Sequence, residues 1–168
     1  VVTKPDPALL LSAIARHRVT ELFLPPTVIY RLLDVPDLKG KADFSSLRYL
    51  MYGAAPMSVQ KLKQAIEIIG PVMMGGYGQT ECPASIAYLP PDAHFVDGKI
   101  APDQRLSSVG RPNPLVRVEM MNDANEIRSV DADALAAWWE IDVVIEIPRG
   151  SFIKRGSTGQ VDFISPLP

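Results

Sequence analysis

The run from Leu47 to Met74 restricts the fold more than any other part of the chain. "LRYLMY" (Leu47–Tyr52) is apolar and short enough for a buried strand, and Ser58 then offers a helix-capping hydroxyl. Val59, Leu62, Ile66 and Ile69 fall on one helical stripe with Lys61 and Lys63 off it. Gly70 supplies the stop and Pro71 prevents continuation. "VMM" (Val72–Met74) reads as a second strand. Strand, eleven-residue helix and strand with short connections form a βαβ crossover, which dictates parallel strands. A sheet of that kind is expected to be covered on both faces and to hold its ligand beyond the carboxyl ends of its strands.

The flanking segments extend this pattern. Asp6-Pro7 reads as an N-cap and first helical residue, followed by Leu10, Ala13, Ile14 and His17 at helical spacing, with His17 expected at the helix surface or end. "TELFL" (Thr20–Leu24), bounded by Pro25-Pro26, predicts a buried strand, and Thr27 is expected to cap a helix over "VIYRLL". Pro90 to Ser108 lacks periodicity and is expected to be a surface connection, with His94 solvated in it. Val116, Val118 and Met120 then alternate with Arg117 and Glu119, the period of a half-exposed antiparallel strand. Beyond Asn122, "DADALAAWWEID" resembles a short amphipathic helix, "VVIEI" a strand, and "GSFIKRGSTGQVDFI" a turn and one more strand. Trp138 and Trp139 read as an apolar patch covered by further chain rather than as a ligand platform.

The expected fold class is therefore α/β. An α/β subdomain over residues 1–108, holding a partial parallel sheet with flanking helices, precedes part of a small β-barrel-like subdomain over residues 109–168. With 168 residues, 47% of them hydrophobic and 21% charged, the chain has enough apolar side chain for a buried core. The formal charge of −2 gives no global attraction to nucleic acid or to an anionic membrane, so any phosphate binding must be local. Cys82 is the single cysteine, which excludes an internal disulfide framework and favours a reducing, cytoplasmic setting. No apolar run reaches the length of about 18 residues expected of a transmembrane helix. The first residues carry no initiator Met and enter a helical pattern at once, as expected of a piece of a longer protein. Missing sheet neighbours would leave apolar edges suited to pairing with another copy.

The chemistry concentrates in "MMGGYGQTEC" (Met73–Cys82). A Walker loop needs a lysine, and none lies between Lys63 and Lys99. A dinucleotide fingerprint is met by Gly76 and Gly78 but has Glu81 at its third glycine, where close helix packing would exclude it. The remaining logic is local. Gly75, Gly76 and Gly78 expose backbone N–H groups, and Tyr77 offers a flat face to a base. Thr80 offers a hydroxyl to phosphate, and Glu81 is a hard oxygen donor suited to Mg²⁺. An ordinary strand-to-loop turn, with Tyr77 in the core and Glu81 solvated, accounts for the spacing equally well. Cys82 has no nearby histidine in sequence and reads as a small buried residue. "GAAP" (Gly53–Pro56) is a second small-residue segment expected on the same sheet rim.

These residues resemble the adenylate-forming ligases, which include acyl-CoA synthetases, aryl-CoA ligases, luciferases and peptide-synthetase adenylation domains. "GGYGQTE" is similar to their Y-G-x-T-E motif, "YGAAPMS" to their small-residue adenine-side loop, and "SSVGRPNPLVRVEMM" to the opening of their β-subdomain. The similarity runs from Val19 to Met121, and "GYGQTE", "PASIAYLPP" and "RLSSVGRP" most resemble bacterial fatty-acyl or aryl-acyl CoA ligases. The resemblance implies that ATP activates a carboxylic acid as acyl-AMP, with coenzyme A or a carrier protein as acceptor. It assigns Gly53, Ala54, Ala55 and Pro56 to the adenine edge and acyl wall, and Gly76, Tyr77, Gly78 and Gln79 to the nucleotide, with Tyr77 on the adenine face. Thr80 falls to phosphate and Glu81 to Mg²⁺. The family's lysine-bearing phosphate loop, its ribose-binding aspartate and its C-terminal lysine lie on none of these segments. The resemblance thus implies a chain inactive without the remainder of its parent. A non-catalytic nucleotide-binding or interaction module is the expectation from another functional class.

Overall fold

The computed structural model describes residues 6–79, 82–121, 127–128, 142–147, 151–155 and 161–164. The chain divides into two units, one formed by residues up to Gly75 with Pro90–Ser107, the other by Gly76–Leu89 with the residues from Ser108 onward.

In the first unit, Asp6 caps α1 (Pro7–His17) by accepting from the Leu9 N–H at 3.1 Å. Leu10 and Ile14 turn into the core and His17 is exposed at the helix end. After β1 (Glu21–Leu24), helix α2 spans Pro26–Leu33. Thr27 lies inside it and does not cap it, contrary to expectation. Its N-cap is Pro25, with no side-chain bond; Pro26 at the first helical position brings a preset φ and removes one of the N–H groups that the helix start leaves unpaired. A short α3 (Leu38–Lys41) leads to β2 (Tyr49–Tyr52). Helix α4 (Val59–Ile69) is the predicted crossover, with Ser58 Oγ accepting from Lys61 N–H at 3.5 Å and Gly70 leaving it at φ 113°. Strand β3 (Met73–Gln79) follows.

Strands β1, β2 and β3 lie side by side and parallel. Leu24 is opposite Tyr52, and Tyr52 is opposite Gly75. Leu24, Leu50, Tyr52 and Met73 face the helices in one core with Ile14, Ile29, Leu32, Leu62 and Ile66. The other face differs from expectation, with Phe23 50% and Tyr49 39% exposed. The reason is handedness. Two successive right-handed crossovers that advance in the same direction, β1 to β2 to β3, put both sets of helices on one side of the sheet.

Residues 90–107 are also more than a surface connection. They form a 3-10 helix (Pro91–His94), a hairpin of β5 (Phe95–Val96) and β6 (Lys99–Ile100), and α5 (Asp103–Leu106). Asp97 and Gly98, at φ 50° and 74°, form the two-residue turn of that hairpin. His94, Ala101 and Leu106 are buried. These three buried residues lie in or between short, different elements, so no single period builds up in the sequence.

In the second unit, the end of β3 is followed by β4 (Cys82–Leu89), which pairs antiparallel with β7 (Arg111–Pro112). Ile86 and Ala87 are buried there, with Tyr77, Val109, Val116 and Val118 packed around them. A second sheet, in the order β12-β11-β10-β8-β9, is antiparallel throughout. Its strands are β8 (Arg117–Met121), β9 (Ile127–Arg128), β10 (Asp142–Ile147), β11 (Ser151–Arg155) and β12 (Val161–Ile164). The period-2 segment is thus the antiparallel strand it predicts. The final stretch holds two strands where one was expected, because hairpin pairing of Ile147 with Ser151 draws "SFIKR" into the sheet without an alternating pattern. The expected helix over "DADALAAWWEID", with Trp138 and Trp139, lies outside the described residues except for Asp142, which starts β10.

Candidate functional site

Gly53, Ala54, Ala55 and Pro56 leave the carboxyl end of β2 as a turn. Gly53 is buried and the next three residues are exposed. Ala54 adopts φ 65°, a left-handed conformation that costs a residue with a Cβ about 1–2 kcal/mol. Backbone strain of this kind persists only where the surroundings fix it.

Both ends of the turn are fixed. Before it, the Tyr52 hydroxyl lies 3.0 Å from His94 Nε2, and His94 Nδ1 lies 2.9 Å from the Pro90 carbonyl oxygen. A carbonyl only accepts, so Nδ1 carries the proton, Nε2 presents a lone pair, and the Tyr52 hydroxyl donates to it. The two rings also meet edge to face, with centroids 5.9 Å apart. Burial pushes the His94 imidazole below its ordinary range, partly offset by the Pro90 carbonyl, and pushes the Tyr52 phenol above its own. Both groups are therefore neutral at pH 7. After the turn, the Ser58 N–H donates to the Tyr30 hydroxyl at 2.7 Å.

His94 is thus a correction to the sequence reading. It is fully buried rather than solvated, because both ring nitrogens have partners inside the protein. The available signal was the Pro90-Pro91 pair, which starts a single helical turn and brings the ring of His94 back onto the carbonyl of Pro90.

The glycine cluster also departs from expectation. Gly76, Tyr77, Gly78 and Gln79 continue β3 as extended strand rather than forming a loop. Among the described glycines, positive φ occurs at Gly70, Gly98 and Gly110 and not at Gly75, Gly76 or Gly78. Extended backbone suits any residue, so nothing in "MMGGYGQ" compels a turn. Gly75 is buried, whereas Gly76, Tyr77 and Gly78 are half-buried. Tyr77 packs beside Ile86 and Ala87 in the second unit, so part of its surface serves that small core. Thr80 and Glu81, between β3 and β4, lie outside the described residues. Among the described residues no group of three or more His, Cys, Asp or Glu side chains is placed to hold a metal ion.

Comparison with known proteins bears on these segments directly. The AMP-binding enzyme family matches residues 1–132, which include both "GAAP" and "GGYGQTE". The chain belongs to this family. As a member of the AMP-binding enzymes, it is 37% identical over 167 residues to the medium/long-chain-fatty-acid–CoA ligase FadD8 of Mycobacterium tuberculosis, covering 99% of this chain and 24% of that protein. It is 25% identical over 154 residues to the fatty acid–[acyl-carrier-protein] ligase ScoC of Streptomyces coeruleorubidus, covering 86% of this chain and 28% of the relative. Among solved structures, the amide bond synthetase McbA of Marinactinospora thermotolerans matches with a TM-score of 0.70 and 30% identity, over 94% of this chain and 34% of that one. The chain therefore spans about a quarter to a third of the length of these relatives. The α/β architecture inferred from the crossover is that of the AMP-binding ligases. Among the described residues, no helix is long and apolar enough to cross a membrane.

Proposed function

We propose that the chain contributes the adenine shelf, a phosphate hydroxyl and a metal carboxylate to an ATP-dependent ligase that joins a fatty or aromatic acid to coenzyme A. The observation that carries this reading is the 37% identity to a fatty-acid–CoA ligase along 99% of the chain, and it favours a fatty acid over an aromatic one. In the proposed reaction a carboxylate oxygen attacks the α-phosphorus of ATP. The bond to the β-phosphate oxygen breaks and pyrophosphate leaves with that electron pair. A thiol sulfur then attacks the acyl carbonyl, loses its proton and expels AMP.

In the first step two anions meet, so the site must offset charge with neutral donors. Thr80 is assigned to donate its hydroxyl to a phosphate oxygen, and the peptide groups of Gly53, Ala54, Ala55 and Pro56 to border the adenine edge. Gly76, Tyr77, Gly78 and Gln79 are assigned to the nucleotide, with the exposed part of Tyr77 against the base. Glu81, a hard oxygen donor, is assigned to Mg²⁺, which when bound draws negative charge from the phosphates. A reducing cytoplasmic setting fits the single cysteine.

Titration calorimetry of the chain with AMP and Mg²⁺ tests the site. Binding is expected for the wild type and at least about tenfold weaker binding for Tyr77→Ala and for Glu81→Ala, a stacked base or a charge-assisted contact each being worth more than 1 kcal/mol. Absence of wild-type binding overturns the nucleotide reading for this chain. ATP–pyrophosphate exchange with a fatty acid is expected to be absent, and turnover would overturn the expectation of inactivity alone. The similarity to ScoC favours one alternative acceptor, a carrier-protein thiol in place of coenzyme A. Acyl transfer to each thiol by a longer chain containing this one decides between them.

A further inference from the structure

We propose that two tyrosine hydroxyls clamp the strained 53–56 turn, Tyr52 with His94 at its entry and Tyr30 at its exit, and that His94 and Tyr30 are positioning residues for the bound nucleotide. The inference rests on the reading of this turn as the adenine edge. Ala54, Ala55 and Pro56 carry no polar side-chain atom, so the turn can recognise a base edge only through peptide N–H and C=O groups. Such groups discriminate only if the backbone is held still. A left-handed Ala54 works against that, since an exposed turn would relax toward the ordinary basins without outside restraint.

The restraints come from elements far away in the chain. His94 of the 3-10 helix is 42 residues from Tyr52, and Tyr30 of α2 is 28 residues from Ser58. Neither is needed for local structure. Ser58 caps α4 with its hydroxyl, whereas the N–H bound by Tyr30 precedes the helix and would otherwise be left to water. The Tyr52 and His94 positions could be filled by apolar rings with no buried polar group to satisfy, and such replacement of both partners is often close to neutral for stability. What polarity adds is direction. The proton on Nδ1, fixed by the Pro90 carbonyl, forces Nε2 to accept, and this orients the Tyr52 hydroxyl one residue before the turn.

The test uses the 168-residue chain with Tyr30→Phe, Tyr52→Phe, His94→Gln and His94→Leu, measuring AMP affinity and backbone ¹⁵N order parameters. In the wild type, Ala54 and Ala55 are expected near the rigid value of about 0.85, falling below about 0.6 in Tyr30→Phe and Tyr52→Phe while α4 stays rigid. AMP should bind about tenfold more weakly to both variants, the size of one lost hydrogen bond. His94→Gln retains a donor and an acceptor and should restore affinity to within about threefold of wild type, whereas His94→Leu should not. Tyr30→Phe removes one exposed hydroxyl and leaves the buried pair intact, so it keeps the test valid if a core variant fails to fold. Order parameters and affinity unchanged in Tyr30→Phe, or a loss of order spread over α4 as well, would overturn the proposal. If the wild type binds no AMP, the nucleotide reading fails separately. Order at Ala54 and Ala55 then decides the clamp: selective loosening upholds it and no selective change overturns it.

Discussion

Ala54 in the first unit and Gly110 in the second both take left-handed backbone, at φ 65° and 84°, yet the chain uses different residue types for them. At Gly110 a Cβ would overlap the carbonyl of Tyr88 and come within 2.6 Å of Leu89 N, at the edge where Tyr88 pairs with Arg111. Only glycine fits, and the Ser108 hydroxyl accepting from its N–H at 3.2 Å secures the approach. Ala54 is exposed, its Cβ is tolerated, and its conformation is imposed by partners on either side. At these two positions left-handed backbone has different origins: a steric demand that selects glycine at 110, and an external restraint that acts on alanine at 54.

Gly110→Ala should break that contrast most severely. Both the overlap and the positive φ oppose it, so a loss of about 4 kcal/mol or more is expected, in the range reserved for a severe steric or backbone defect. Chemical denaturation measures it, and a loss below about 1 kcal/mol would place Gly110 in the same class as Ala54. The restraint on Ala54 has an intermediate effect. Tyr52→Phe leaves the buried His94 Nε2 without a donor, expected to destabilise by about 1–3 kcal/mol.

The same pair gives a pH dependence. His94 has its folded-state pKa lowered from 6.5, chiefly by burial, so below pH 6.5 the unfolded chain binds a proton that the folded chain resists. This contribution to stability is complete above pH 6.5 and is lost as the pH falls from there toward the folded-state pKa. Unfolding free energies between pH 7.5 and 5 should fall with acid, and His94→Gln should flatten that slope; an equal slope in the variant would remove His94 as its cause. Ala54→Gly is expected to do least. It relieves about 1–2 kcal/mol of left-handed cost and adds about 0.5–1 kcal/mol of backbone entropy, for a net gain of roughly 0–1.5 kcal/mol. A loss on Ala54→Gly would show that the alanine methyl itself is in use.

What was legible in the sequence follows from the range of the interactions concerned. The caps at Asp6 and Ser58, the helix Val59–Ile69 and the stop at Gly70 depend on residues within one turn, and all are present. Parallel pairing of β2 with β3 followed from the short connections around α4. The alternation at Val116, Val118 and Met120 marked an antiparallel strand for the same local reason. His94 was misread because its decisive partner, Tyr52, is 42 residues away. The open face bearing Phe23 and Tyr49 was hidden because coverage depends on the direction of two crossovers together, not on any one helix. Nothing in "GAAP" indicates that alanine takes the left-handed residue, and nothing in "GGYG" indicates that three glycines stay extended. Of the candidate site, residue types and order were legible. The clamp around the turn was not, because it joins α2, β2 and the 3-10 helix in space.

The chain leaves its first unit at Gly75, returns at Pro90 and leaves again at Ser107. Synthesis from the amino terminus therefore completes β2 and its turn long before His94, Ala101 and Leu106 exist to close the core beside them. A nascent chain ending at Leu89 would hold the turn without its entry clamp, and closure would wait for a loop of more than forty residues to find Tyr52, an ordering cost that slows folding more than it weakens the folded state. The last eighteen residues of that first unit, Pro90–Ser107, rather than its first seventy-five, are then the step on which its assembly depends.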